Sequence, residues 1–175
     1  MKRHALLGLM VAVAGLGVGE LPALARPNAA LVRAIKNSLP IKLDRELSDR
    51  TRYYFSEVDL NNDRKKETVV YVYGAFCGMW ECPVYIFTKT GSTYRLIGKT
   101  AAMTGDTGAR VAVLSSKTNG WLDIATLVYD PHTTQTANWK LHRFNERSYQ
   151  NSSQNLSETP RRIILRNSGS GLKLD

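Results

Sequence analysis

The sequence predicts a mainly β (α+β) fold, with an N-terminal helix packed on an antiparallel meander or barrel-like sheet. Clusters of β-branched and aromatic residues recur from residue 53 onward, spaced roughly every 10–15 positions, as short strands are. Turn signals separate them at Thr90-Gly91-Ser92, Asn119-Gly120 and Asp130-Pro131. No long helical period lies between the clusters. Parallel strands need crossover helices, so the pairing is expected to be antiparallel.

Taken in order, residues 1–25 read as a secretory signal peptide. Lys2 and Arg3 make a positive start, residues 6–19 form an apolar, Gly-rich stretch, and Ala23-Leu24-Ala25 offers small residues for cleavage. The apolar stretch is shorter than the roughly 20 residues of a membrane-spanning helix. The remaining chain, 26–175, is one domain's worth of sequence. It divides into a β-rich domain at 26–160 and a last strand with a loose, Ser/Gly-rich tail at 161–175. Asn28 suits an N-cap, and Leu31, Ala34, Ile35 and Leu39 fall at helical spacing before Pro40 stops the helix. Residues 42–50 are polar, with room for a short turn of helix. Strands are expected within 53–58, 68–73, 84–87, 94–97, 111–114, 122–129, 137–144 and 161–166.

The formal net charge is +9, and losing Lys2, Arg3 and Glu20 with the signal peptide leaves +8. The basic residues are scattered, and export separates the chain from most nucleic acid. The charge therefore reads as a solvated basic surface in an acidic envelope, with attraction to envelope phosphates or carboxylates as its functional counterpart. In an oxidising compartment Cys77 and Cys82 favour a disulfide. Only His132 and His142 outlast processing, too few for a Cys/His metal site.

The stretch "DLNNDRKKE" sets Asp59, Asn61, Asp63 and Glu67 at positions 1, 3, 5 and 9 of a loop. Alternate oxygen-bearing side chains in a tight loop converge, and such ligands suit calcium, the one cofactor to consider. The segment resembles the loops of FG-GAP and VCBS repeats, where D-x-[DN]-x-D-G-x-x-[DE] precedes a strand and binds calcium. Arg64 stands at the glycine of that pattern and Lys65 and Lys66 follow, which weakens a dication site. The competing expectation is a turn in which Asp59 and Asp63 bond backbone amides.

Cys77 and Cys82 bound "FCGMWECP", a short loop holding Met79, Trp80 and Glu81. Together with "VDLNNDRKKETVVYVYG", "NGWLDIATLV" and "LHRFNERSYQ", it makes 54–151 similar to a family of small exported bacterial proteins without established activity. That resemblance implies a fold and no catalytic residue. Its Cys-bounded loop is Gly-rich, so Met79 and Trp80 depart from it. Trp80 either folds back over the end of the sheet or forms a pre-organised aromatic anchor, with Glu81 as polar rim. Trp121 and Trp139 are expected in the core or on a sheet face, and stacking on sugar rings is the functional alternative.

No catalytic residue is assigned. C-x₄-C without a following helix is a poor redox motif, and "TGDTGAR" at 104–110 lacks the lysine of a phosphate loop. The expectation is an exported, periplasmic or secreted, binding or structural module whose partner is an envelope protein or glycan. The alternatives are an envelope hydrolase using His132 or His142, and a lysozyme-inhibitor-like protein, whose positive charge would oppose basic lysozymes.

Overall fold

The computed structural model describes residues 28–105, 108–129, 137–167 and 169–174. The signal peptide at 1–25, the Asp130-Pro131 turn and His132 lie outside them. Asn28 caps α1 (Ala29–Ser38), its side chain accepting from the Ala30 amide at 3.0 Å. Asp44 caps α2 (Arg45–Asp49) by accepting from the Leu47 amide at 2.8 Å. Among the described residues, no helix is long and apolar enough to cross a membrane.

The strands are β1 (Thr51–Val58), β2 (Glu67–Gly74), β3 (Glu81–Thr90), β4 (Thr93–Met103) and β5 (Gly108–Thr118). They continue as β6 (Trp121–Tyr129), β7 (Ala137–Phe144), β8 (Tyr149–Leu156), β9 (Arg162–Asn167) and β10 (Leu172–Lys173). They form one curled, half-barrel sheet in the order β10-β1-β2-β3-β4-β8-β7-β6-β5-β9. Pairing is antiparallel within β10 to β4 and within β8 to β9. The expected meander is thus two antiparallel halves, joined by a parallel contact at Gly98 and Tyr149.

Curling lets both halves bury apolar side chains in one interior. Val69, Tyr71, Val84 and Ile86 meet Val111, Val113, Ile124 and Leu165 there. Alternation places the intervening Val70, Val72, Tyr85 and Phe87 in a second cluster with Leu31, Val32 and Ile35. The run at 68–73 is apolar without alternation because both faces of β2 are covered. A third cluster, Ala112, Ala125 and Trp139, lies on the opposite face of β5 to β7.

Two expectations need correction. Beyond β9, which pairs with β5, the Ser/Gly-rich tail is not loose over its described part: Leu172 and Lys173 pair with β1, and Leu174 is fully buried. Its leucines have an apolar place to go, which outweighs the surrounding Ser and Gly. Residues 149–156 form a strand that the sequence does not announce, because its polar residues show no apolar face.

Candidate functional site

The Cys77–Cys82 disulfide closes the turn from β2 to β3, with Cα atoms 4.0 Å apart. Gly74 ends β2 at φ +112°, where a Cβ would collide with the Arg50 carbonyl. The Cys77 amide donates to Gly74 O at 3.0 Å and the Gly78 amide to Glu81 O at 2.7 Å. From the other side, the Thr104 amide donates to Trp80 O at 2.8 Å. The loop backbone is pinned while its side chains face outward: Met79 is 79% and Trp80 48% exposed. The indole neither enters the core nor stands alone. It stacks on Tyr129, at the end of β6, with centroids 4.5 Å apart and planes at 17°. One face of each ring is covered by the other.

Beside Glu81 and Tyr129, the ends of β6, β7 and β8 enclose a groove of about 320 Å³. Asn138 and Lys140 of β7 and Ser152, Ser153 and Asn155 of β8 line it, and Val128 is its one aliphatic side chain. Asn138, Lys140 and His142 alternate along β7 and share a face. Further in, His142 is 1% exposed, with Nε2 2.8 Å from Thr126 Oγ1 and 3.3 Å from Thr100 Oγ1. Burial, reinforced by Lys140, lowers its pKa to about 4 against the hydrogen bond that the protonated ring donates to Asn151, so the imidazole is neutral at physiological pH. The buried neutral imidazole, bonded to the Thr126 and Thr100 hydroxyls, ties β7 to β6 and β4.

At the other end of β2, the four oxygen-bearing residues of 59–67 are engaged with the chain itself. Asp59 accepts from the Asn61 and Arg64 amides at 3.3 and 3.0 Å, Asn61 from Asp63 at 3.0 Å, and Asp63 from Lys65 at 2.8 Å. Glu67, 1% exposed, accepts from the Leu60 amide at 3.0 Å and Thr88 Oγ1 at 3.3 Å. Burial raises the pKa of Glu67, with Asp63 and Asp59 adding to the effect against those two bonds. Among the described residues, no three of the His, Cys, Asp and Glu side chains gather as metal ligands do.

The three tryptophans do not form one surface. Trp121 stacks on Phe144 at 4.2 Å at the opposite end of β6 from Tyr129, and Trp139 lies in the third cluster. Met79, Trp80 and Glu81 stay together, and the structure adds Tyr129, Asn138, Lys140 and the β8 side chains. The sequence offered no signal for these, since register and curl alone bring them to the lip. No protein-family model matches this chain, and neither does any curated protein or solved structure.

Proposed function

We propose that this protein is an exported recognition module of the cell envelope, binding its partner at the open end where Trp80 lies on Tyr129. The supporting observation is the half-exposed, stacked indole on a disulfide-closed loop, at the lip of a polar groove. A fixed backbone lowers the ordering cost of binding, and a large aromatic surface supplies contact area. In this reading α1 covers the far face of β1 to β3 and leaves the lip free. The amides and hydroxyls of the groove favour a hydroxylated glycan ring over an apolar protein anchor, with the outward indole face as its platform. At about 320 Å³ the groove sits at the small end of ligand pockets, which suits one ring or a chain end.

The test compares mature protein with a Met79→Ser/Trp80→Ser variant of matching far-ultraviolet circular dichroism and melting temperature. Each is incubated separately with purified cell-wall polysaccharide and with soluble envelope proteins. Retention of the native form on polysaccharide, lost in the variant, is the expected result. Equal retention of both forms on every fraction would remove the loop from recognition.

A further inference from the structure

A second groove, of about 690 Å³, lies at the opposite end of β2, between the 59–66 loop and the β3–β4 hairpin. Arg64, Lys65 and Lys66 line one side, Lys89 and Arg95 the other, with Glu57 and Asp63 also present. All five cations are exposed. Among the described residues the one salt bridge is Arg50 with Glu46, so no ion pair holds any of the five. Bringing five like charges to one groove is unfavourable unless something neutralises them.

The loop is built to display those cations. Its carboxylates are taken up by its own amides, and the bonds from the Arg64 and Lys65 amides fix the backbone that carries the basic side chains. Arg64 itself is held at φ +67°, in the left-handed region. An L residue there is strained, and glycine would relieve the strain, so the guanidinium is kept at a structural cost. A segment with the outline of a cation loop therefore presents its positive charges outward.

We propose that this groove binds a ligand carrying two or more phosphoryl groups. Five cations against two carboxylates leave an excess of three positive charges, which two phosphoryl groups of about −1.5 to −2 each would neutralise. Arg64 and Arg95 supply planar forks for phosphoryl oxygens, and the lysines supply point charges. A single phosphate would fill only part of the groove. The source of the phosphoryl groups is either a soluble polyphosphate or the headgroups of an anionic lipid surface; both present clustered phosphoryl oxygens, the lipid phosphodiesters with a single charge each.

Calorimetric titration of the mature protein with inorganic tripolyphosphate, at low and at physiological salt, tests the site. Co-sedimentation with phosphatidylglycerol vesicles, against phosphatidylcholine vesicles, forms the second arm. Saturable, salt-sensitive tripolyphosphate binding is expected, weakened about tenfold by Lys89→Gln/Arg95→Gln and little changed by the charge-matched Lys36→Gln/Lys173→Gln. Arg64→Gly is expected to weaken binding while leaving the melting temperature unchanged or higher, which a purely structural arginine would not do. Sedimentation with the anionic vesicles, sensitive to the same substitutions, would name the lipid surface as the source; tripolyphosphate binding alone would name a soluble polyphosphate. Failure of both arms overturns the proposal, as does equal weakening by the two charge-matched doubles. Tighter binding of a galacturonate trisaccharide than of tripolyphosphate would replace phosphoryl with carboxylate and overturn it too.

Discussion

His142 and Glu67 are buried titratable side chains whose environments act in opposite directions. For Glu67, burial favours the protonated form, although two hydrogen bonds hold the carboxylate. His142 is held neutral, with its pKa lowered from 6.5 to about 4, chiefly by burial. Below pH 6.5 the unfolded chain binds a proton that the folded chain refuses. The stability that His142 contributes above pH 6.5 is therefore lost as pH falls toward about 4, at a cost of about 3 kcal/mol across that window. Urea unfolding of native and His142→Gln protein between pH 4 and 7 checks this. The native midpoint should fall across the window and the variant's should fall less; parallel curves would show that His142 does not titrate there.

At the scale of elements, the β2–β3 turn and β8 carry the lip in different ways. The turn is shaped by the staple. Its ring is small, so removing the disulfide by Cys77→Ser/Cys82→Ser should lower stability by only about 2 kcal/mol in urea unfolding. The same change should loosen Trp80 from Tyr129, seen as altered tryptophan fluorescence in protein that is still folded. Unchanged fluorescence would mean that the Thr104–Trp80 hydrogen bond positions the indole without the staple. In contrast, β8 owes its strand state to its neighbours. Tyr149 is buried and most of the strand's other side chains are exposed, so pairing with β7 holds it in place. Such a strand is easily read as a loop, although it supplies three side chains of the groove.

For the whole molecule, the seam between the two antiparallel halves decides the shape. At Gly98 a Cβ would lie 2.7 Å from Ile86 Cδ1 and 3.1 Å from Tyr149 Cβ, so the close approach of β4 and β8 needs a residue without one. Gly98→Ala should destabilise the fold by about 1–3 kcal/mol, the range for overpacking. Ile86→Val, which removes Cδ1, should recover part of that loss in the double variant. The check is a double-mutant cycle in urea; strict additivity would mean that the seam relaxes elsewhere. The same curl sets the aromatic lip and the basic groove at opposite ends of β2, eight residues and about 25 Å apart.

Local chemistry settled much of this protein before any packing was considered. Asn28 and Pro40 bound the first helix, β-branched runs mark the buried strands, and two cysteines in a short loop pair with each other. These features depend on neighbours in the chain, so they can be read from it. Residues 149–156 and Leu172–Lys173 become strands only because partner strands accept them. The sequence placed Arg64, Lys65 and Lys66 beside four oxygen-bearing side chains and left open which set would face a ligand. In the tertiary structure those oxygens accept from backbone amides, and Lys89 and Arg95 come to the same groove as the three cations. Tertiary structure likewise lays Trp80 on Tyr129, forty-nine positions away in the chain. Such long-range meetings follow from register and curl, which are properties of the whole sheet.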